Sequence, residues 1–388
     1  MQHPGILFMR ALAPLPLALI RGLGSVVGHV LFVLARQRRY VALTNLRLAY
    51  PDWSEERRRA VARRSFVYFS QAFLDRSWLW HGDPEVVRQR LRITGATEDL
   101  TREGAVVMFA PHFYGMDAGG SAVMDQIDRP ACTIYTTQPD AVLDAWMQRG
   151  RKRFGDATLL SRTEGVKPIV RALREGKMLY LLPDMDLGPT ESVFVPFFGI
   201  SAATVPSLSR FAKLGHARVV PVVTRLTKTG YEVRVYPAWP DYPSADALAD
   251  TALMNKRLEG YINEMPEQYY WVHKRFKTRP EGRSRCIESG LPVLQWCHGV
   301  RRTGIGHRLD ERRQDGAETQ VAVILRAERA AGLERSKPVD DAAQAAQGMD
   351  LRLFIQGQSR EDLVEDRQPL IGGLPQRHIL GLGRGHGR

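Results

Sequence analysis

The chain has 388 residues, which allows two or three domains and a sizeable core, and its 55 Lys and Arg against 42 Asp and Glu give a formal charge of +13. Its 44% hydrophobic and 25% charged residues are ordinary for a folded protein, while three cysteines without CxxC spacing exclude a disulfide-stapled scaffold. The positive charge favours polyanionic partners, which include nucleic acid, anionic lipid head groups, phosphorylated glycolipids and acidic carrier proteins.

Residues 5–35 are the most apolar part of the chain, and a basic cluster of Arg36, Arg38 and Arg39 follows them. The uninterrupted apolar piece, Gly22–Ala35, is shorter than the roughly 20 residues that cross a bilayer. We therefore expect residues 1–36 to be a membrane anchor, either a spanning helix over 11–35 in which Arg21 snorkels or a helix lying in the interface. A buried core helix is the alternative. The basic cluster favours the cytoplasmic side and anionic lipid.

The segment from Val41 to Trp80 has a helical pattern that Pro51 interrupts, and Ser54 is placed to cap the second helix. One face of that helix carries Phe66, Phe69 and Phe73 at helical spacing, which predicts a buried stripe. Another face is strongly cationic and is either solvated or in contact with lipid head groups; its arginines are Arg57, Arg58, Arg59, Arg63 and Arg64.

The stretch AVVMFAPHFYGMDAGG, residues 105–120, contains the first candidate catalytic residues. Residues 105–109 read as a strand that is buried on both faces, and Pro111 disfavours helix directly after it. His112 is thus expected at a strand exit, where open α/β sheets bind their ligands, and Asp117 in the first turn of the next helix. An imidazole oriented by a carboxylate can act as a general base, although a lone histidine is more often structural.

The remaining chain alternates helices and strands, which predicts an α/β fold. Residues 178–182 read as a second buried strand that runs into Asp184 and Asp186, again acidic groups at a strand exit. FVPFFG, residues 194–199, is predicted to be an apolar loop. Its three phenylalanines, Phe194, Phe197 and Phe198, suit the wall of an apolar pocket about as well as they suit core packing.

Five stretches in order resemble the lipid A biosynthesis acyltransferases, a family within the lysophospholipid acyltransferase-like superfamily. They are the apolar N-terminus with NLRLAYPDWSEERR, APHFYGMD with its His-x-x-x-x-Asp spacing, the Arg162 region before VKPIVRALREG, PDMDLGPTESVFVPFFGISAAT, and QYYWVHKRFKTRPEG. The resemblance covers residues 5–285. It implies a glycerolipid acyltransferase-like mixed sheet flanked by helices. Asp117 stands where the family often has Glu, which keeps the carboxylate and shortens its reach.

The resemblance further implies transfer of a fatty acyl chain from acyl carrier protein to a hydroxyl of a Kdo-bearing lipid A precursor at the cytoplasmic face of the bacterial inner membrane. His112 would be the general base and Asp117 would hold its tautomer. Further cationic or acidic candidates for the oxyanion or for substrate binding are Arg162, Asp186, Arg151 and Arg153.

No HExxH or Cys/His set predicts a metal, and no glycine-rich nucleotide loop predicts a cofactor. We expect an acyltransferase domain over residues 37–289, followed by a basic, low-complexity and disordered tail over 290–388 that is not a nucleic-acid-binding segment. Two alternatives stay open: acyl transfer to another membrane lipid hydroxyl, and a non-catalytic glycolipid-binding protein on the same scaffold.

Overall fold

A mixed β-sheet lies at the centre of the fold. The computed structural model describes residues 3–190 and 192–281, so the predicted tail over 290–388 lies outside the described residues. The main sheet is built from β1 (Leu91–Gly95), β2 (Val106–Phe109), β3 (Ala131–Tyr135), β4 (Ala157–Ser161), β5 (Met178–Leu181), β8 (Arg218–Leu226) and β9 (Tyr231–Val235), and β6 (Val193–Phe197) and β7 (Ile200–Thr204) form a separate hairpin. The strand order in the main sheet is β1-β9-β8-β2-β5-β3-β4.

Among the described residues, only the β8–β9 pairing of this main sheet is antiparallel, and the other pairings of the main sheet are parallel. All four residues of β2 and of β5 are buried, as expected for central strands that are covered on both faces. The expected mixed α/β sheet is therefore confirmed.

Helices cover the faces of the sheet and begin where the sequence signals place them. Ser54 caps α4 by accepting a hydrogen bond from the backbone N–H of Arg57 at 3.2 Å, and Asp246 caps α11 in the same way. The helices are α1 (Pro4–Leu12), α2 (Leu17–Leu34), α3 (Arg36–Ala49), α4 (Glu55–His81), α5 (Pro84–Arg90), α6 (Glu98–Thr101), α7 (Met116–Gln126), α8 (Ala141–Arg151), α9 (Val166–Arg174), α10 (Ser207–Gly215) and α11 (Ala247–Glu264).

The apolar helix α2 packs along α4 through two glycines. A Cβ atom on Gly28 would lie 2.5 Å from the Cα of Val67, and one on Gly24 would lie 2.9 Å from the Cα of Gln71, so only glycine permits this approach. Arg21 is buried and forms an ion pair with Asp75 at 3.0 Å. The expectation that Arg21 snorkels towards a membrane surface is wrong, because its guanidinium is held inside the protein.

The other face of α2 is exposed and apolar. Leu19, Val26 and Val33 are 60%, 61% and 62% exposed, and Leu23 and Val30 complete the same stripe at helical spacing. Among the described residues, α2 is the one helix that is long and apolar enough to cross a membrane, and 28% of it is buried. A core helix buries its apolar face, so the large exposed apolar stripe of α2 distinguishes it from a core helix.

The segment FVPFFG is regular structure, which corrects the prediction of a loop. Residues 193–197 form β6 and pair antiparallel with β7, and the turn between them is Phe198–Gly199. Both turn residues have positive φ, 49° and 74°, as a tight two-residue hairpin turn requires. Pro196 is exposed, consistent with the place of proline in edge positions.

Candidate active site

The carboxyl ends of two neighbouring parallel strands bring His112 and Asp184 together. The register pairs Phe109 of β2 with Leu181 of β5. Each strand is followed by one residue, then a proline, and then the polar side chain. Because neighbouring strands lie about 4.8 Å apart, side chains at the same offset beyond a paired position meet at the edge of the sheet.

His112 and Asp184 form a tightly bonded pair. The Nδ1 atom of His112 lies 2.7 Å from Oδ1 of Asp184, and the backbone N–H of His112 donates to Oδ2 of the same carboxylate at 3.0 Å. Burial opposes ionisation of Asp184, but the electrostatic interaction with the imidazole of His112 and the hydrogen bonds from His112 outweigh burial and lower the pKa of this carboxyl. An ionised carboxylate accepts hydrogen bonds only, which assigns the imidazole proton to Nδ1 and leaves Nε2 as a basic nitrogen. The imidazole is 15% exposed.

Asp117 lies in the first turn of α7 as expected, but its carboxylate is bonded to two arginines. Arg76 of α4 lies 2.7 Å from Oδ2, and Arg151 at the end of α8 lies 3.0 Å from Oδ1. Burial would raise the pKa of Asp117, yet the charges of Arg151 and Arg76 hold it well below its usual range. The predicted contact between Asp117 and His112 is therefore wrong: Asp184 orients the imidazole, and Asp117 joins two cations.

The segment after α11 closes over the histidine loop. The backbone N–H of Tyr270 donates to the carbonyl of His112 at 3.1 Å, and that of Tyr114 donates to the carbonyl of Gln268 at 3.1 Å. The ring of Tyr270 also stacks beside the imidazole, with 6.3 Å between centroids. The loop is thus held by backbone hydrogen bonds on both sides, which fixes the position of His112.

Asp186 is buried, and its carboxylate binds backbone and hydroxyl groups. It accepts from the backbone N–H and the hydroxyl of Thr278, at 2.9 and 2.8 Å, and from the N–H of Gly188 at 3.0 Å. Its own N–H donates to Nε2 of His273. These bonds tie the loop after β5 to the segment 273–278. The carboxylate bonds go to no basic side chain, and none of the bonds goes to His112.

Arg153 also has a structural role, which corrects its assignment as a substrate-binding candidate. Its guanidinium donates to the carbonyls of Leu79, at 2.8 Å, and Gly82, at the end of α4. Carbonyls at a helix C-terminus lack partners within the helix and favour cations. The candidate binding residue in this basic run is Arg151.

Arg162 follows β4 at the same edge of the sheet, but it is remote from His112. Its side chain is exposed, and β4 is separated from β2 by β5 and β3, about 14 Å across three strand spacings. An arginine there does not contact the His112–Asp184 pair.

The three phenylalanines of the β6–β7 hairpin differ in exposure. Phe197 is fully buried and packs against Phe276 and Tyr269, so its proposed place in a pocket wall is wrong. Phe194 and Phe198 are half-buried, and Phe198 contacts Tyr50, 5.0 Å between centroids.

A different set of aromatic rings lies beside the histidine. Tyr114 contacts both Tyr270 and Phe69 edge to face, and Phe69 stacks on Phe73. Phe69, Phe73 and Tyr270 are half-buried. The spacing of the phenylalanines on α4 predicted a buried stripe, but the partial exposure of Phe69 and Phe73 and the contact of Phe69 with Tyr114 of the histidine loop were not predicted.

The His112–Asp184 pair places an oriented imidazole at the edge of an α/β sheet, an arrangement that can serve as a general base. A family model described as bacterial lipid A biosynthesis acyltransferase matches residues 2–278. A lipid A biosynthesis acyltransferase of Haemophilus influenzae is 33% identical over 289 residues, covering 72% of this chain and 88% of the relative. The lipid A biosynthesis lauroyltransferase of Escherichia coli is 28% identical, covering 72% and 91%, and the myristoyltransferase of the same organism is 33% identical, covering 64% and 78%.

The chain belongs to the bacterial lipid A biosynthesis acyltransferase family, and it is an acyltransferase. The resemblance inferred from the five sequence stretches is thereby confirmed.

Proposed function

We propose that this enzyme transfers a fatty acyl chain from the thioester of acyl carrier protein to a hydroxyl group of a Kdo-bearing lipid A precursor, with His112 as the general base. The observation that carries the proposal is the bond between Nδ1 of His112 and Asp184 at a strand exit. The names of the relatives support the acyl group and the lipid A acceptor. The donor and the Kdo sugars follow from the resemblance of the sequence.

The proposed chemistry follows from the tautomer of His112. Asp184 keeps the proton on Nδ1, so Nε2 takes the proton of the acceptor hydroxyl as its oxygen attacks the thioester carbonyl. The new C–O bond gives a tetrahedral intermediate, which then expels the thiolate as the C–S bond breaks. The imidazolium returns its proton to the leaving thiolate, and Asp184 stabilises the imidazolium in between. Protons and electrons balance over the two steps, and the protein is unchanged at the end.

The cluster of Arg76, Asp117 and Arg151 supplies the cationic partner of this reaction in our proposal. Two guanidiniums share one carboxylate, so the cluster carries a net positive charge with the pKa of Asp117 held low. The arginine side chains are 18% and 27% exposed, which leaves N–H groups accessible to an anion. We assign them to the developing oxyanion or to a substrate phosphate. Arg162 is assigned to a phosphate farther along the edge of the sheet.

The half-buried rings of Phe69 and Phe73 are the proposed support of the acyl chain. Together with Tyr270 these two rings form an aromatic strip. The strip starts at Tyr270, which stacks beside the imidazole of His112, and ends at Phe73, whose ring lies against the guanidinium of Arg76. An acyl chain attached to a carbonyl at His112 would cover these rings and remove apolar surface from water. This strip replaces the β6–β7 hairpin as our acyl-binding candidate.

The exposed stripe of α2 is the proposed contact with the cytoplasmic face of the inner membrane. The buried ion pair between Arg21 and Asp75 holds one face of α2 on the protein, so the opposite face is free to enter the apolar part of one leaflet. Arg36, directly after the helix, is exposed and suits anionic head groups. This arrangement favours an interfacial helix over an independent spanning one.

The test is acyl transfer by the full chain in membranes supplied with acyl-acyl carrier protein and a Kdo-bearing lipid A precursor. We expect His112→Ala to lower turnover at least about a thousandfold, since general-base catalysis and its orientation are lost together. His216→Asn is the matched control, because His216 is exposed at the end of α10 with φ of 48°, which asparagine tolerates. Undiminished turnover in His112→Ala contradicts the proposal, and transfer to lysophospholipids alone would favour the other lipid acceptor.

A further inference from the structure

The hydroxyl group of Tyr269 lies on the side of Asp184 that faces away from the imidazole. It donates to Oδ2 of Asp184 at 3.1 Å, and both side chains are buried. The ring of Tyr269 packs edge to face against Phe113 and Trp271, with centroid distances of 5.7 and 5.0 Å. In a buried, packed environment such a hydrogen bond is electrostatically stronger than the same contact would be in water.

The backbone around Tyr269 fixes this hydroxyl relative to the histidine loop. Tyr269 forms an antiparallel β-bridge with Phe113, the residue after His112. The neighbours on either side add the bonds from Tyr270 to the carbonyl of His112 and from Tyr114 to the carbonyl of Gln268. The hydroxyl therefore cannot move away from Asp184 without breaking the contacts that hold His112.

The hydrogen bonds of Asp184 show what the hydroxyl contributes. Oδ1 is bonded to Nδ1 of His112, while Oδ2 receives the backbone N–H of His112 and the hydroxyl of Tyr269. Without the hydroxyl, the carboxylate keeps, among the described residues, the hydrogen bonds from His112 and from its own backbone, and it has more freedom to rotate about its Cβ–Cγ bond. Burial and the charge of Asp184 both raise the pKa of Tyr269, so the hydroxyl stays protonated as a donor.

We propose that Tyr269 is a positioning residue of the His112–Asp184 base: its hydroxyl fixes the plane of the carboxylate and withdraws part of its negative charge from the imidazole. This inference rests on the proposed function, because it presumes that His112 is the base. Tyr269 itself does not contact a reacting atom.

Removal of the Tyr269 hydroxyl should shift the pH dependence of the reaction in a defined direction. Loss of the hydroxyl leaves more negative charge on Asp184, and this charge favours the imidazolium form of His112. The base is then available only at higher pH, so the acidic limb of the pH–rate profile moves up. Asp184→Asn removes the charge and moves the limb the opposite way. Other charged and titratable groups also face this pair and Tyr269, and Tyr269→Phe leaves all of them in place. They are Tyr270, His273, Arg275 and Lys277 from the segment after α11, and Arg76 and Arg38 from the helices.

The experiment compares Tyr269→Phe with the wild-type enzyme in the membrane acyl-transfer assay from pH 5 to 9, a range of about 4 units around the titration of histidine. We expect kcat/KM at pH 7 to fall about tenfold and the acidic half-point to rise by roughly half a unit, because a hydrogen bond to a buried charge is lost while the ring packing stays. Tyr236→Phe is the matched control. Tyr236 directly follows β9, and its hydroxyl also donates to a carboxylate, that of Glu264 at the end of α11.

Two results overturn the inference. One is a pH profile and kcat/KM equal to those of wild type. The other is an activity loss that follows a lowered melting temperature with an unmoved acidic limb, as a merely structural residue would give. Failure of the proposed function is recognised separately, because His112→Ala would then remain active; an inactive His112→Ala beside a normal Tyr269→Phe refutes only the role of Tyr269.

Discussion

Asp117→Asn separates the two roles that a carboxylate five residues after His112 could have. In the structure this carboxylate joins Arg76 and Arg151, at 2.7 and 3.0 Å, and makes no hydrogen bond to the imidazole. Asparagine preserves the size of the side chain and removes its charge. The two guanidiniums then face each other without their shared anion.

The expected loss of stability is about 3 kcal/mol. Breaking a buried ion pair by removing one partner costs about 3–5 kcal/mol, and the 18% and 27% exposure of the arginine side chains places this case at the lower end. For a body of this size, that loss corresponds to a drop in melting temperature of about 6 to 12 °C. Asp125→Asn is the control on the same helix, because Asp125 pairs with the half-exposed Arg88 and should cost less than about 1 kcal/mol.

The stability difference has its own pH dependence. The arginines lower the pKa of Asp117 below its ordinary value of 3.8, so its contribution is fully present above about pH 4 and is lost as the pH falls through the folded-state value. We therefore expect thermal unfolding in detergent to show a large difference in melting temperature between wild type and Asp117→Asn at pH 7 and a smaller difference at pH 3.

The activity assay then decides between the roles. We expect Asp117→Asn to leave the acidic limb of the pH–rate profile in place while kcat/KM falls about a hundredfold, since the cationic cluster loses its geometry. If Asp117→Asn has an unchanged melting temperature and its acidic limb is displaced like that of Asp184→Asn, this reasoning is refuted, and Asp117 is then the carboxylate that orients the imidazole of His112.

Two further predictions concern the apolar surfaces. Phe73→Ala should raise the preference for acyl donors two carbons longer by about tenfold, because the removed ring opens space along the chain, whereas Phe198→Ala should leave the preference unchanged; competition between acyl-acyl carrier proteins of different chain length measures it. Replacing Val26 and Val30 of α2 together by Gln should weaken binding to vesicles with anionic lipid at least about tenfold, by the loss of two valines from the bilayer. Val142→Gln, at a similarly exposed valine on α8, should bind like wild type, and equal binding of all variants would exclude α2 as the membrane contact.

The sequence predicted the framework of the fold well, because its signals are local. Continuous apolar runs marked β2 and β5, and Ser54 marked the start of α4. The β6–β7 hairpin was missed because Pro196 and Gly199 were interpreted as loop residues. In the structure the proline lies in an exposed edge position and the glycine in the turn.

The partner of His112 could be found in the sequence only by comparing two strand exits. Phe109-Ala-Pro-His and Leu181-Leu-Pro-Asp share one pattern, and Asp184 has the same offset as His112. That β2 and β5 are neighbours, however, depends on long-range strand order, with β3 placed outside them. Arg76 could not be predicted at all, since its meeting with Asp117 depends on where α4 crosses α7.

Helix α4 is the element that connects the N-terminal helix α2 to the candidate active site. Consecutive residues of a helix point about 100° apart, so Asp75 faces α2 and binds Arg21, while Arg76 faces α7 and binds Asp117. Ser65, three turns earlier on the same helix, bonds to the hydroxyl of Tyr114 in the histidine loop. The charge of Arg21 is thus used inside the protein, while the apolar stripe on the opposite face of α2 stays exposed. For this reason the N-terminal helices belong structurally with the catalytic body, although hydropathy alone separates them from it.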